Sequence, residues 1–246
     1  MEKVACIFSG GMDSTVLMHK LMKEYGAENI MPLYMQYGQR NLEMELLTVN
    51  NFCRKYGVQE PMIVDLTSAF NTVPKEADGN KYAVEGGAHN CRSMINRNMI
   101  FISVAVNKSI TAGCTKLFSG SCYEDGIVVN DGSEEFYKLI KELLKYQYPD
   151  FDFCMPFMEN KTTKDDEIKL GIELGMSEDD FKDTWSCYVT PTEKDVDGRF
   201  KACGKCHACL SSIIPLRKVF GAGFRSYAII EDEIKDTSAN WTKEKK

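Results

Sequence analysis

Short apolar runs alternate along this chain with longer segments of helical periodicity, and this alternation constrains the fold more than any other feature. The apolar runs predict strands over residues 3–8, 30–37, 62–66, 116–120 and 151–157. The segments between and after them predict helices over residues 14–25, 42–57, 95–112, 134–147 and 163–175. Because strands separated by helices need crossover connections, we expect an α/β fold with a doubly wound, mainly parallel sheet.

The chain is long enough for one large domain with a small appendage. We expect a main domain over residues 1–180, a cysteine-rich subdomain over 181–225 and a charged tail over 226–246, with a long loop at 67–92. The 246 residues, 43% of them hydrophobic, can bury a sizeable core. The formal net charge of -6 makes a general nucleic-acid-coating surface unlikely. No apolar run approaches the length of a membrane span, and the N-terminus resembles no signal peptide, so we expect a cytoplasmic protein.

A glycine turn joins the first predicted strand to the first predicted helix. Backbone N–H groups at glycines approach an anion closely, and a helix N-terminus adds a favourable partial positive charge. A carboxylate in such a turn repels phosphate unless it binds Mg²⁺ or caps the helix. The turn therefore predicts a phosphate site rather than a generic strand–helix junction, with these candidate residues: Ser9, Gly10, Gly11, Asp13, Ser14 and Thr15.

The ten cysteines fall into two groups, six scattered along the chain and four near its C-terminus. Scattered thiols suit a reducing compartment, and a cytosolic cluster is more often a metal site than a set of disulfides. Cys203, Cys206 and Cys209 follow a Cys-x-x-Cys-x-x-Cys pattern, and Cys187 could complete a four-thiolate site. Structural Zn²⁺ is the preferred interpretation, with an iron–sulfur cluster or unligated thiols as alternatives, and His207 is expected to point outward.

The segment "SGGMDST" resembles the signature of the PP-loop ATP pyrophosphatase superfamily. Four further segments resemble the QueC family of 7-cyano-7-deazaguanine synthases within it: "YGQR" (37–40), "NRNMIFISVA" (96–105), "KTTKDDEIKLGIELG" (161–175) and the pair "TWSCY" and "CGKCHAC" (184–209). The resemblance spans residues 4–220 in order. It implies a Rossmann-like fold, ATP, Mg²⁺ and Zn²⁺ as cofactors, and a homodimer.

The resemblance also implies a reaction. The carboxylate of 7-carboxy-7-deazaguanine would attack the α-phosphate of ATP, ammonia would displace AMP to give an amide, and a second adenylation would give the nitrile. Positioning and charge stabilisation suffice for this chemistry. The implied roles are catalysis for Asp13, Arg97 and Lys161, and nucleotide binding for Gln39, Arg40 and the glycine turn. The residues implied in substrate binding are Arg97, Asn98, Asp125 and Asp131.

The match fails on the substrate side. Where the family carries Tyr-Pro-Asp-Cys-Arg, this chain has Val129-Asn130-Asp131-Gly132-Ser133. The alternative is therefore a repurposed QueC-like enzyme that stops at an amide and joins the acid to another amine, such as a protein terminus. Such QueC-like proteins occur in phage and antiphage gene clusters. A PP-loop tRNA thiolase and a catalytically silent, zinc-stabilised nucleotide-binding module are the remaining alternatives.

Overall fold

The computed structural model describes residues 2–70, 96–124, 130–194, 196 and 198–224, and it confirms the predicted α/β fold. The strands are β1 (Val4–Ile7), β2 (Ile30–Gln36), β3 (Met62–Asp65), β4 (Lys116–Ser119) and β5 (Asp152–Cys154). The helices are α1 (Met12–Tyr25), α2 (Leu42–Tyr56), α3 (Arg97–Thr111), α4 (Glu134–Gln147), α5 (Pro156–Glu159), α6 (Lys164–Glu173), α7 (Glu178–Lys182) and α8 (His207–Phe220).

The five strands form one parallel sheet in the order β3-β2-β1-β4-β5. Strand β1 is central, with its Val4 paired to Ile30 of β2 on one side and to Lys116 of β4 on the other. The chain therefore runs outward from β1 through β2 to β3, and then crosses to the other side of β1 to form β4 and β5. In a sheet of this kind the crevice at the carboxyl end of the central strand is the expected ligand site.

Alternate side chains of the sheet feed two separate cores. Val4, Cys6 and Phe8 pack in a core that includes residues of α1, α2, α6 and α8. Ala5 faces the opposite core, which is built with residues of α3 and α4. Helices thus cover both faces of the sheet, as the doubly wound prediction requires, and the carboxyl edge of the strands is left for a site.

Three helices were not predicted. Helix α5 takes the place of the end of the predicted strand 151–157, because Pro156 at its first turn cannot continue the strand ladder. Helix α7 begins at a capping box in which Ser177 and Asp180 bond each other's backbone N–H groups. Helix α8 follows the cysteine cluster and packs on the main core through Leu216, although it contains Pro215.

Two sequence predictions fall largely outside the described residues. Only the first residues of the predicted loop 67–92 are described, and they form a short 3₁₀ helix over Thr67–Ala69. The predicted tail over 226–246 lies wholly outside. Within the described part of the chain, no helix has the length and apolar character needed to cross a bilayer.

Candidate active site

The glycine turn lies at the carboxyl end of the central strand β1. Gly10 has a positive φ of 75°, and a Cβ at this position would lie 2.8 Å from the Thr48 side chain, so glycine is required there. The Ser14 hydroxyl donates to the Gly11 carbonyl at 3.1 Å and lies 3.3 Å from the Ser9 hydroxyl. The turn therefore presents two hydroxyls beside the positive N-terminus of α1, an arrangement suited to phosphate oxygens.

A cavity of about 280 Å³ opens in front of the turn. Six of the predicted site residues line it: Ser9, Gly11, Asp13, Ser14, Arg97 and Asn98. A smaller cavity of about 130 Å³ shares part of that lining and continues towards Lys164, Ser186 and His207. The structure thus brings most of the predicted turn residues together at the carboxyl edge of the sheet.

A buried charge cluster lies behind the turn. The Lys164 Nζ is 2.6 Å from the Asp13 Oδ2, and the Lys164 side chain is only 7% exposed. Glu167, one helical turn further along α6, is completely buried. The Asp13 Oδ1 and both Glu167 oxygens are buried without a nitrogen or oxygen donor among the described residues, and the Cys122 thiol is the donor beside Glu167. A proton on Glu167 would give Asp13 a donor and leave one negative charge opposite the Lys164 ammonium group.

The pKa values of the two acids move apart for physical reasons. Burial, followed by the negative charge of Asp13, raises the pKa of Glu167 well above its ordinary value. Burial alone would raise the pKa of Asp13 as well, but the charge of Lys164 and the hydrogen bond from Glu167 lower it overall. Asp13 is therefore the stronger acid of the pair. Its side chain is 26% exposed and lines both cavities.

A second buried acid, Glu45 of α2, borders both cavities. Its Oε2 accepts from the Tyr34 hydroxyl at 2.8 Å and from the Gln39 amide at 2.9 Å, and its Oε1 accepts from the Asn41 amide at 2.9 Å. Burial raises the pKa of Glu45, although these hydrogen bonds oppose the shift. Gln39, a predicted nucleotide ligand, also donates to the Met35 carbonyl, so its amide nitrogen already has three acceptors around it.

Thr15, Arg40 and Asp131 are not among the residues that line the larger cavity. Asp131 accepts the Asn98 backbone N–H at 3.3 Å, and its own carbonyl accepts the Asn98 side chain at 2.8 Å, so Asp131 fixes the start of α3. Thr15 is buried in the first turn of α1, and Arg40 is exposed at the surface. Asp125 lies outside the described residues.

Lys161 lies apart from the glycine turn. Its side chain is 61% exposed, and its Nζ is 3.8 Å from the Glu134 Oε2. The lysine that reaches the turn is Lys164, three residues later. The catalytic role of Lys161 stays a prediction. Lys164 is the better placed of the two lysines for that role, because it reaches the turn.

Three residues of this site were missed from the sequence: Lys164, Glu167 and Glu45. One available signal was the capping box of Thr163 and Asp166, which makes Lys164 the first residue of α6. No comparable local signal marks the two acids, because their burial arises from packing between elements far apart in the sequence.

The four clustered cysteines converge as predicted. Their sulfur atoms all lie within 4.8 Å of one another, and the Cys203 and Cys209 sulfurs are 3.9 Å apart. A tetrahedral Zn²⁺ with bonds of about 2.3 Å would separate its sulfur ligands by roughly 3.8 Å. The donor set and its spacing therefore fit a four-thiolate metal site formed by Cys187, Cys203, Cys206 and Cys209.

Backbone N–H groups point at these sulfurs. The Cys187 sulfur accepts from the N–H groups of Val189 and Cys203 at 3.4 and 3.3 Å. The Cys203 sulfur accepts from those of Lys205 and Cys206 at 3.4 and 3.3 Å. Such donors stabilise thiolates and orient them towards a bound metal.

Comparison with known proteins places this architecture in a family. The family model for "Queuosine biosynthesis protein QueC" matches residues 3–217. The chain belongs to the QueC family. This QueC-family protein is also 31% identical over 223 residues to the 7-cyano-7-deazaguanine synthase of Caldicellulosiruptor saccharolyticus, covering 88% of this chain and 92% of that one. It is 29% identical over 214 residues to the 7-cyano-7-deazaguanine synthase of Pseudoalteromonas translucida, covering 85% and 90%.

A solved structure is also similar to this QueC-family protein. The U34-tRNA thiolase NcsA from Methanococcus maripaludis, determined with its [4Fe-4S] cluster, aligns with a TM-score of 0.46 and 23% sequence identity. The alignment covers 72% of this chain and 59% of the thiolase chain. The match to the family model, by itself, confirms the predicted QueC and PP-loop resemblance.

Proposed function

We propose that this protein adenylates 7-carboxy-7-deazaguanine with ATP and, with ammonia, converts it through an amide to 7-cyano-7-deazaguanine. The observation that carries the proposal is the glycine turn of a QueC-family chain, which faces a cavity at the carboxyl edge of the sheet and is backed by Lys164. The turn carries no P-loop lysine of its own, and Lys164 brings a cation to it from α6 instead.

The chain's own residues account for the first step. The α1 N-terminus and the hydroxyls of Ser9 and Ser14 would hold the departing pyrophosphate of ATP. Arg97, the first residue of α3, lies across the same cavity and would bind the remaining phosphate charge. Electrostatic stabilisation of the α-phosphate during attack by the substrate carboxylate is then the main contribution to catalysis. Mg²⁺ enters the proposal only as the counter-ion of ATP.

The four-cysteine site would be structural. All four ligand positions of a tetrahedral Zn²⁺ are filled by protein thiolates, which leaves no position for a reacting water or substrate. In this proposal the base of the substrate is oriented by Asp131, with Asp125 as a second carboxylate. Carboxylates accept well from the N–H groups of a guanine-like base.

Product analysis of the full chain tests the proposal. The protein is incubated with the acid, ATP and ¹⁵N-ammonia, and the products are identified by mass spectrometry while AMP and pyrophosphate are counted. We expect the ¹⁵N-labelled nitrile with two AMP released per nitrile. Absence of both AMP release and any modified base would contradict the proposal.

An amide product would favour the second candidate, a QueC-like enzyme that joins the acid to another amine. The replacement of Tyr-Pro-Asp-Cys-Arg by residues 129–133 motivates this candidate. It predicts one AMP per amide and no nitrile. Adding a peptide amine in place of ammonia would then yield a peptide increased in mass by the acylated base.

A further inference from the structure

Three consecutive residues, 185–187, connect the cysteine cluster to the glycine turn. The Trp185 N–H donates to the Gly10 carbonyl at 2.8 Å. The Ser186 hydroxyl oxygen accepts the Met12 N–H at 3.3 Å. The first contact fixes the left-handed glycine of the turn, and the second uses an N–H at the start of α1. The turn is therefore held from outside the sheet by the segment that ends in a metal ligand.

The third residue of the segment, Cys187, is held by Asn41. The Asn41 amide nitrogen donates to the Cys187 carbonyl at 2.8 Å and to the Glu45 carboxylate at 2.9 Å. Asn41 is only 3% exposed, so both bonds lie out of water. Glu45 borders both cavities of the candidate site. A single buried amide thus joins a metal ligand on one side to the lining of the site on the other.

Further contacts join the cysteine-rich segment to the loop after β2 and to α2. The Thr190 hydroxyl donates to the Arg40 carbonyl at 2.7 Å. Trp185 is 6% exposed and packs in one apolar cluster with Cys187, Cys209 and Met44 of α2. The cysteine cluster therefore contacts both loops that follow β1 and β2, the two strands whose carboxyl ends meet at the cavity.

We infer that metal binding at the four cysteines and nucleotide binding at the glycine turn are positively coupled, with Asn41 as the positioning residue that transmits the coupling. The inference rests on the proposed function only in taking ATP as the ligand of the turn. A bound metal fixes the Cys187 side chain, and Asn41 holds the Cys187 carbonyl against Glu45. Together they keep the adjoining residues Trp185 and Ser186 on Gly10 and Met12. Without the metal, a nucleotide must order these loops itself, and its affinity falls by that ordering cost.

Coupling of this kind is reciprocal, so ATP must raise the affinity for the metal by the same factor. The first experiment measures both directions on the full chain. Calorimetry gives the dissociation constant of ATP for zinc-loaded and chelator-stripped protein. Competition with a chromophoric chelator gives the dissociation constant of Zn²⁺ with and without ATP. We expect two equal ratios of about tenfold, within the usual range for coupled sites.

The Asn41→Ala variant tests the route. We expect it to keep one zinc per chain and an unchanged Co²⁺-thiolate spectrum, while its coupling factor falls towards one. Asn29→Ala is the matched control, because the Asn29 amide also donates to a carbonyl, that of Tyr25 at 2.8 Å, and to a carboxylate, that of Glu28 at 3.0 Å. The Asn41→His variant keeps one ring N–H donor and should recover part of the factor.

The outcomes separate the inference from the proposed function. Equal ATP affinity with and without zinc would overturn the coupling, and a wild-type factor in Asn41→Ala would overturn the role of Asn41. Failure of zinc-loaded wild-type protein to bind ATP would overturn the proposed function and the coupling together. Should circular dichroism show that stripped protein unfolds, zinc-loaded Asn41→Ala decides: a tenfold weaker ATP affinity than Asn29→Ala supports the inference, and equal affinity overturns it.

Discussion

Two polar clusters flank the glycine turn, and each holds charge in a different way. Asp13 pairs with Lys164 beside the buried Glu167, and Asp13 is far from the other two in sequence. The four cysteines form a group that could hold a metal ion, and three of them lie within one Cys-x-x-Cys-x-x-Cys segment. The first cluster therefore exists only once the whole fold has formed, whereas most of the second is encoded locally.

Removal of one thiolate should have the largest effect. In Cys206→Ser we expect zinc affinity to fall by at least about a hundredfold and thermal stability to fall with it, because binding free energies of about 10–16 kcal/mol at structural zinc sites contribute to folding. Metal content by mass spectrometry and the melting temperature measure both effects.

Cys154→Ser is the matched control, since Cys154 is a partly buried thiol outside the cluster. Equal zinc affinity in the two variants would show that the cysteine cluster is not the metal site.

The next largest effect is expected at the ionic cluster. Lys164→Met leaves the partly exposed Asp13 charge without its cation, and the loss of this charged hydrogen bond should cost about 1.5–3 kcal/mol. We also expect ATP–pyrophosphate exchange to fall by more than about a hundredfold, because the turn loses the cation that Lys164 brings to it. A hundredfold loss corresponds to about 2.7 kcal/mol of transition-state stabilisation.

Lys161→Met is the control, because the Lys161 side chain is mostly exposed and should change stability by no more than about 0.5 kcal/mol. Urea unfolding and exchange assays compare the two variants. A larger loss in Lys161→Met than in Lys164→Met would return the phosphate-binding role to Lys161.

A smaller, pH-dependent effect is expected for Glu167→Gln. Because folding raises the pKa of Glu167 above its ordinary value of 4.5, its contribution to stability is complete below that pH and is lost as the pH rises through the raised pKa. Glutamine keeps a donor for Asp13 but cannot ionise. We therefore expect the free energy of unfolding of the variant to increase, relative to that of the wild type, by about 1–3 kcal/mol between pH 5 and pH 8.

Denaturant unfolding over this pH range measures that difference. A constant difference across the range would show that Glu167 has the same pKa in the folded and unfolded chain. It would contradict a hydrogen bond from protonated Glu167 to Asp13.

The smallest effect is expected at Asp131, a carboxylate that belongs to neither cluster. Asp131→Ala removes the acceptor of the Asn98 N–H at the start of α3, which should cost about 1 kcal/mol of stability. If Asp131 also orients the substrate base, the KM for the acid rises while that for ATP is unchanged. Steady-state kinetics with each substrate varied separate these effects, and an unchanged KM for the acid would limit Asp131 to a structural role.

The sequence predicted the features that depend on local pattern. The five strands, the glycine turn and the cluster of four cysteines follow from periodicity and spacing, which act over short stretches of chain. The sequence did not distinguish Lys164 from Lys161, because both follow the same strand and only the capping box at Thr163 turns one of them inward. Glu45 and Glu167 were not predicted either, since acidic residues on a helix are usually solvated and their burial comes from tertiary packing.

The position of Lys164 at the first turn of α6 has a consequence for the second substrate of the proposed reaction. The N-terminus of α1 and the ammonium group of Lys164 both lie beside Asp13, whose single negative charge Lys164 already offsets. The site therefore offers a second cation no free counter-charge at Asp13, and an ammonium ion has no lone pair with which to attack the adenylate. Nitrogen would therefore enter as neutral ammonia and leave its extra proton in bulk solvent. At a fixed total concentration of ammonium salt, the saturation of this step should increase with pH.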